Sequence, residues 1–398
     1  MKKTEKPAPM VYLDWAATTP IESEVYYAMQ PYMTDEFGNP SSAYLIGETN
    51  KIAIGKARME VAELINADAQ DVYFTSGGTE SNNWAIRGVC QSLFDHRRGN
   101  HIITTPIEHA SVLESCKYME KHGFTVSYAP VSSIGLVDYY ALEDMITDQT
   151  IMISVMMANN EIGTIEPIKK IAEIAHRKGV LLHVDAVQAF GHIPIDVKEM
   201  GIDILSASAH KIGGPKGVGC FYCNHLAVPF LEPYMLGGHQ ELGMRASTEN
   251  VAGIVGFGKA AMIAKRDMYK NMKYVHELRN YTMYRLRDIH DISLNGPLPH
   301  DERVTDRLPN NLNLTIDGIN GTQLQSLLAD RGIYTSVGSA CNTGIPMPSH
   351  VLKAIGMTDQ EALCSLRITL GHANTKEDID RFIKAFKNLI KTLKMMKG

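Results

Sequence analysis

Two strand-like segments of the chain, the first of them apolar, each end in a charged side chain. The run at residues 180–185 delivers Asp185, and the shorter run at residues 206–211 ends in Lys211. A lysine amine can bind an aldehyde cofactor covalently, and a carboxylate can keep a pyridine nitrogen protonated. Ligands of an open α/β sheet gather where its strands end. The pair therefore predicts a pyridoxal phosphate (PLP) site.

A glycine-rich turn, residues 76–81, separates a strand-like from a helix-like segment. Gly78 lets an anion approach the backbone, and Thr79 opens a helix whose N-terminus carries a partial positive charge. A plain tight turn capped by Thr79 is the alternative. Beside the lysine and the aspartate, we expect this turn to hold the cofactor phosphate, with Ser208 and His210 as further contacts.

Three more polar residues follow predicted strands at the same edge of the sheet. His109 could stack on a cofactor ring or move protons, and an equally open alternative is a structural histidine. Asn160 and Gln188 offer uncharged hydrogen-bonding groups suited to a ring hydroxyl. The alternative for Asn160 is simple turn formation.

Cys341 and Arg367 stand out in the C-terminal third. Cys341 lies in a Gly/Ser/Pro-rich stretch, which predicts an exposed loop thiol able to act as a nucleophile. Arg367 lies within an apolar strand-like run, where an arginine needs an anionic partner. A structural carboxylate and a substrate carboxylate are both open at this point.

Cys220 and Cys223 have the C-x-x-C spacing of metal and redox sites, but the run around them is apolar and no second cysteine or histidine pair accompanies them. We therefore expect core cysteines and no metal site. The six cysteines are scattered, which favours a reducing compartment.

The bulk composition is that of an ordinary globular protein of 398 residues, with 44% hydrophobic and 21% charged residues. A formal net charge of -5 predicts no general attraction to nucleic acid or anionic membranes. The sequence contains neither a secretory signal nor an apolar run of membrane-spanning length. We expect a cytoplasmic protein.

Strand-like and helix-like segments alternate through the first two thirds of the chain, for example strands at 101–105 and 151–155 and a helix from 111 to 122. This alternation predicts an α/β fold, a mostly parallel sheet flanked by helices. A long helical stretch from 253 to 288 leads into a smaller α+β region. We predict an N-terminal arm at 1–20 that packs with the small domain, a large domain at 21–258 and a small domain at 259–398.

These segments together resemble the cysteine desulfurases, within the class V aminotransferase group of fold-type-I PLP enzymes. The resemblance spans nearly the whole chain in order. It rests on LDWAATTP (13–20), FGNPS (37–41), TSGGTES (75–81), NNEIG (159–163), HVDAVQ (183–188), SAHKIGGPKG (208–217), GSAC (338–341) and Arg367.

The resemblance implies a homodimer that removes sulfur from L-cysteine, leaving alanine and a persulfide on Cys341. The sulfur would pass to an acceptor protein, such as an iron–sulfur scaffold or a tRNA-thiolation enzyme. Lys211 would hold PLP covalently and move protons, Asp185 would pair with the ring nitrogen, and Arg367 would bind the substrate carboxylate. The remaining implied contacts are His109 on the ring, Gln188 and Asn160 near the ring oxygen and substrate, and Gly78, Thr79, Ser208, His210 and the partner's Thr248 at the phosphate.

Two positions depart from the pattern that the resemblance implies. Leu242 stands where arginine is usual, and Ser247 stands where glycine is usual. The first removes a charged contact near the phosphate region, and the second restricts the backbone beside Thr248.

Two other readings of the chain are weighed against cysteine desulfurase. A selenocysteine lyase or another class V aminotransferase-like enzyme would keep the fold, although a transaminase needs no thiol at Cys341. A paralogue that acts as a sulfur-relay partner without turnover is suggested by Leu242 and Ser247.

Overall fold

The computed structural model describes residues 10–298, 307–338 and 347–396. Cys341 therefore lies outside the described residues. Within them, no helix combines the length and apolar character needed to cross a membrane.

The strands are β1 (Val11–Tyr12), β2 (Val72–Thr75), β3 (His101–Thr104), β4 (Thr125–Tyr128), β5 (Thr150–Met156), β6 (Leu181–Asp185), β7 (Ile204–Ser208), β8 (Gly219–Cys223), β9 (Ile292–Leu294), β10 (Asn311–Ile316), β11 (Ile333–Tyr334) and β12 (Ser365–Thr369). The α-helices are α1 (Ser23–Met29), α2 (Pro31–Thr34), α3 (Leu45–Leu64), α4 (Gly78–Asn83), α5 (Cys90–Asp95), α6 (Ala110–Glu120), α7 (Tyr139–Asp144), α8 (Ile168–Arg177), α9 (Val197–Met200), α10 (Val251–Leu286), α11 (Gly321–Ala329), α12 (His350–Ala354), α13 (Asp359–Leu363) and α14 (Lys376–Met395). A π-helical segment, Trp84–Val89, joins α4 to α5.

The large sheet has the order β2-β8-β7-β6-β5-β3-β4. Its strands pair in parallel from β7 to β4, and β8 runs antiparallel to both of its neighbours. Both faces are covered by helices, so β5 and β7 are buried along their full length. The predicted α/β fold with a mostly parallel sheet is confirmed.

Alternate residues of each strand enter cores on opposite faces of this sheet. Cys220 packs in the core that contains Val184 and Leu205, whereas Cys223 packs in the core that contains Phe221 and Trp84. Both thiols are buried, and burial raises the pKa of each. Since the two sulfurs lie on opposite faces of β8, they cannot share one metal ion, and the prediction of core cysteines is confirmed.

A second sheet, in the order β12-β10-β9, is wholly antiparallel and packs with α11 and α14 around its own core. Val11 and Leu13 belong to that core, and β1 pairs in parallel with β11. The long helix α10 contributes to both cores. The predicted domain boundary at residue 258 falls inside α10, so the division of the chain stays a prediction.

Local signals account for the ends of several helices. Pro167 precedes α8, and Gly179 follows it with a left-handed φ of 69°, a usual pair of start and stop residues. Thr375 and Asp378 form a capping box at the start of α14. Strand β11 ends at Tyr334, because beyond it the chain leaves β1 and Ser336 bridges Arg367.

Candidate active site

The carboxyl ends of β5, β6 and β7 open onto a cavity of about 430 Å³, with the turn before α4 and the start of α6 on its walls. The cavity brings together most of the residues predicted for the site, although they are spread over some three hundred positions of sequence. Those that line it are Gly78, Thr79, His109, Asn160, Asp185, Gln188, Ser208, His210, Lys211 and Arg367.

Lys211 ends the short turn that follows β7. Its Nζ donates hydrogen bonds to the carbonyl oxygens of Ala16 at 2.7 Å and Ala17 at 2.8 Å. Burial, and then the charge of Arg367, lowers the pKa of Lys211 to about 8 from an ordinary 10.5, although Asp14 and Asp185 act in the opposite direction. A substantial neutral fraction of this amine is therefore present in mildly alkaline solution, which is the form that attacks a carbonyl.

Asp185 is buried at the end of β6, and its carboxylate is held from two directions. Oδ1 accepts a hydrogen bond from the backbone N–H of Val187 at 3.0 Å, and Oδ2 accepts one from Nδ2 of Asn82 at 2.7 Å. These two donors fix the orientation of the carboxylate beside the cavity.

His109 caps the N-terminus of α6, so its ring is fixed by the helix it begins. Nδ1 accepts from the backbone N–H of Ser111 at 3.1 Å and lies 2.7 Å from Oγ of Ser111. The ring lines the cavity as predicted, and its position is set by Ser111.

The turn before α4 has the geometry of an anion cradle. Gly77 takes a φ of 151°, which L side chains rarely adopt, and a Cβ on Gly78 would lie 2.6 Å from Cγ2 of Val187. The cavity thus meets the N-terminal end of a helix that continues from α4 through the π segment into α5. Ser208 lies beside this turn.

His210 lies on the same wall with its Nδ1 3.1 Å from Oγ1 of Thr18. Burial, together with the charges of Lys211 and Lys216, lowers the pKa of His210 to about 4. The ring is therefore neutral at physiological pH and adds a hydrogen-bonding group without a charge.

Arg367 has the anionic partner that an arginine within an apolar strand needs. Its Nη2 donates to Oδ1 of Asp14 at 2.8 Å, and Nη1 donates to the backbone carbonyl of Asn160 at 3.1 Å. The structural carboxylate is therefore Asp14. The guanidinium still lines the cavity, and Nη1 and Nη2 each carry a second hydrogen, so donors remain for a second anion.

The described residues on either side of Cys341 meet at the buried carboxylate of Glu161. Ser349 donates to Oε2 of Glu161 at 2.6 Å and caps α12. Gly338 has a φ of 79°, and any Cβ there would collide with the same carboxylate. Gly338 also lines the cavity, so the chain enters the Cys341 segment at the cavity wall.

Thr248 does not line the cavity. It is exposed and borders a separate depression with Tyr32, Phe37 and Asn39. The neighbouring Ser247 has a φ of 102°, and Leu242 has a φ of 58°. Both departures from the family pattern thus occupy backbone conformations that glycine accepts more readily.

Comparison with known proteins gives the family. The Aminotransferase class-V model matches residues 11–382. The chain belongs to this family. It is 47% identical over 386 residues to "Cysteine desulfurase IscS" of Methanosarcina thermophila, covering 97% of this chain and 93% of the relative.

Solved structures agree with that assignment. A NifS-like protein superposes with a TM-score of 0.89 at 37% identity, covering 96% of this chain and all of the other. The structure described as "SspA in complex with cysteine" superposes with a TM-score of 0.79 at 34% identity, over 92% of this chain and 99% of the other. This class-V chain is therefore a PLP-dependent enzyme of the cysteine desulfurase type.

The cavity of this class-V enzyme fits PLP on its own chemistry. It offers an amine with a lowered pKa, a carboxylate fixed by two donors and a glycine-lined helix start for a phosphate.

Sequence reasoning missed Asp14, Asn82 and Ser111. Asn82 follows Gly78 by four residues, so helical spacing from the predicted phosphate turn could have placed it on the same face.

The lowered pKa of Lys211 predicts the pH dependence of PLP capture. Because the neutral amine is the attacking form, the rate at which cofactor-free protein binds PLP covalently should rise with pH through a midpoint at about 8. Stopped-flow absorbance measures this rate. Lys216→Ala, a lysine in the same loop, should keep the midpoint, and Lys211→Ala should abolish the phase. A native midpoint near 10.5 would contradict the prediction.

The backbone conformation of Ser247 predicts that the protein is more stable with glycine at this position. Ser247→Gly should raise the free energy of unfolding by about 1 kcal/mol, because glycine relieves the positive φ. Ser247→Ala keeps the strained Cβ and should show no gain. Urea unfolding of both variants measures the difference, and equal midpoints for the two would refute the argument.

Proposed function

We propose that this enzyme converts L-cysteine to L-alanine and transfers the sulfur to Cys341 as a persulfide. The observation that carries the proposal is the convergence of Lys211, Asp185 and Arg367 on one cavity. Amine, carboxylate and guanidinium are the groups needed to hold PLP at its aldehyde and ring nitrogen and an amino acid at its carboxylate.

In this proposal the cofactor contacts follow the walls of the cavity. Lys211 would hold PLP covalently, Asp185 would pair with its ring nitrogen, and His109 would contact the ring. When bound, PLP supplies an electron sink that weakens bonds at the α-carbon of the amino acid. The remaining contacts are Gln188 and Asn160 near the ring oxygen, and Gly78, Thr79, Ser208 and His210 at the phosphate.

Arg367 orients the substrate in this proposal. Asp14 and Asn160 each take one hydrogen of Nη2 and Nη1, and the second hydrogens of these two nitrogens remain for the α-carboxylate of cysteine. Asp14 fixes the plane of the guanidinium before substrate arrives, so little side-chain entropy is lost on binding. Lys211, once its amine is neutral, is placed to move a proton at the α-carbon.

The sulfur step follows from thiol chemistry. The Cys341 thiolate attacks the substrate sulfur, an S–S bond forms and the Cβ–S bond breaks, with its electron pair left on the Cβ side. A proton completes that carbon, so one cysteine and one enzyme thiol yield alanine and one persulfide. Glu161, which holds Ser349 and abuts Gly338, would anchor both flanks of the Cys341 segment at the cavity.

A homodimer is part of the proposal. Apolar side chains at the start of the chain are strongly exposed in the single chain, including Tyr27, Phe37, Leu45 and Ile52. A surface of this kind is typical of a protein interface. Thr248 borders the same region and does not reach the cavity of its own chain, which supports a role at the phosphate of a partner subunit.

The compartment and the acceptor complete the proposal. Five cysteines within the described residues are free and buried, which agrees with a reducing, cytoplasmic setting. A sulfur-acceptor protein, in iron–sulfur assembly or tRNA thiolation, would take the persulfide sulfur. L-cysteine as the substrate is supported by the cysteine-bound relative described above.

The first test is alanine formation from L-cysteine, with and without a reductant. The native enzyme should form alanine, with reductant sustaining turnover by removing the persulfide, and Cys341→Ala should form essentially none. Cys364→Ala, which removes a buried thiol, is the matched control and should retain activity. Equal alanine from the native enzyme and Cys341→Ala would favour a lyase that needs no thiol. No alanine from PLP-loaded native protein would favour the relay-partner reading.

The shared active site is tested with mixed dimers of Lys211→Ala and Thr248→Ala chains carrying different affinity tags. Thr248→Ala alone should weaken PLP binding about tenfold, the value of one hydrogen bond to a charged group. In the mixed dimer one site combines an intact Lys211 with an intact Thr248 from the other chain, and absorbance titration should show native affinity. If Thr248 serves its own chain, every site with an intact Lys211 would remain weak.

A further inference from the structure

A row of hydrogen bonds connects Asp185 to His109 beneath the cavity. Asn82 lies between them, with Nδ2 2.7 Å from Oδ2 of Asp185 and 2.8 Å from Oγ of Ser111. Ser111 Oγ lies 2.7 Å from Nδ1 of His109. Asn82 is 1% exposed and Ser111 is 8% exposed, so the row is shielded from solvent.

The directions of these bonds are determined by the group at one end. Oδ2 of Asp185 accepts a hydrogen bond from Asn82, and an amide oxygen has no hydrogen to donate, so the atom of Asn82 that faces Oδ2 is the amide nitrogen. The same nitrogen has a second hydrogen, which points to the Ser111 hydroxyl. Rotating the amide would place its oxygen against a carboxylate.

The hydroxyl of Ser111 accepts a hydrogen bond from Asn82 and donates one to His109. Its oxygen accepts from Asn82, so its own hydrogen is available for Nδ1 of His109. The backbone N–H of Ser111 donates to the same Nδ1 at 3.1 Å. A nitrogen that accepts from two donors carries no hydrogen, so the neutral ring bears its proton on Nε2.

We propose that Asn82 and Ser111 are positioning residues that hold His109 as the Nε2–H tautomer and set the orientation of Asp185. The neutral ring then meets the cavity with its Nε2–H, so His109 donates a hydrogen bond there and does not accept one. Two groups expected to touch opposite parts of the cofactor are thereby set by one amide. The functional consequence rests on the proposed function.

The cost of the arrangement supports a positioning role. Oδ1 of Asn82 is buried without a partner among the described residues, and an unpaired buried carbonyl is unfavourable. An apolar residue of similar size would fill the space without that penalty. The two donors of the amide are what an apolar side chain could not supply.

Solid-state ¹⁵N NMR of histidine-labelled holoenzyme tests the tautomer directly, with His109→Gln used to assign the signals. The native ring should show an unprotonated, hydrogen-bonded Nδ1 and a protonated Nε2. Ser111→Ala removes one donor, so the Nδ1 signal should move toward that of a free acceptor. A protonated Nδ1 in the neutral native ring would overturn the proposal.

Kinetics of alanine formation test the positioning role. Ser111→Ala should lower kcat about fivefold and Asn82→Ala ten- to a hundredfold, the factors for a neutral and a charged hydrogen bond, with KM for cysteine changed less than about twofold. Ser111→Thr keeps the hydroxyl and should restore both kcat and the Nδ1 signal.

Two controls match the changed residues in type and place. Ser115 lies one turn further along α6, and Ser115→Ala removes a buried hydroxyl that donates to the Ser111 carbonyl. Asn83→Ala changes the residue next to Asn82 and removes its hydrogen bonds with Thr79 and Arg87. Both should keep native kcat, and Ser111→Ala matching Ser115→Ala would refute the role.

The NMR result does not depend on turnover. If the native enzyme forms no alanine, the proposed function fails while the tautomer is still decided by the spectrum. If it forms alanine with Nδ1 protonated, the proposed function stands and the present inference fails. Should Asn82→Ala not fold, the native spectrum and the Ser111 variants decide the question.

Discussion

The desolvation of the Lys211 amine is the constraint on which the rest of the site depends. Burial removes the water that would hold the amine charged, and Arg367 opposes the same charge. Asp14 and Asp185 act against both effects, and the balance leaves a pKa of about 8. A fully hydrated lysine would be protonated and unreactive at neutral pH, and one buried beside more carboxylates would remain charged.

The fold supplies that balance from four distant parts of the chain. β6 and β7 carry Asp185 and Lys211 to the same edge of a parallel sheet, which requires helices on both faces and so buries the strands completely. β12 of the small sheet brings Arg367, and the N-terminal segment brings Asp14 and the carbonyls that hold the amine. The pairing of β1 with β11, the bridge between Asp14 and Thr369 and the hydrogen bond from Ala16 to Thr369 hold this segment in place.

The same arrangement explains why so many polar groups at the site are held by backbone atoms. Val187 fixes Asp185, Ser111 fixes His109, and the Asn160 carbonyl fixes Arg367. Main-chain groups lose little entropy when they bind, because the strands and helices have already ordered them. The reactive side chains therefore face the cavity in single orientations before a ligand arrives.

The sequence alone was sufficient for the sheet type and for most of the cavity-lining residues. The strand-like segments before Asp185 and Lys211, and the turn at Gly78 and Thr79, are local patterns of a few residues. They can be placed together from sequence because the carboxyl ends of parallel strands lie at one edge of the sheet. The separation of the C-x-x-C pair was also predictable, because residues three positions apart on a strand point to opposite faces of the sheet. Composition does not show where a partner strand ends, so the two-residue length of β11 follows only from its pairing with β1.

Tertiary structure alone decided the contacts between remote side chains. Asp14 pairs with Arg367 across 353 positions, and no local pattern distinguishes that carboxylate from a substrate. In the sequence, nothing distinguishes Asn82 and Ser111 from ordinary helix residues. Only the packing of α4 against α6 places the Asn82 amide between Asp185 and the Ser111 that holds His109. The pKa of Lys211 depends in the same way on burial and on charges from several elements. Local propensity sets the elements, whereas desolvation and long-range pairing exist only once those elements have packed.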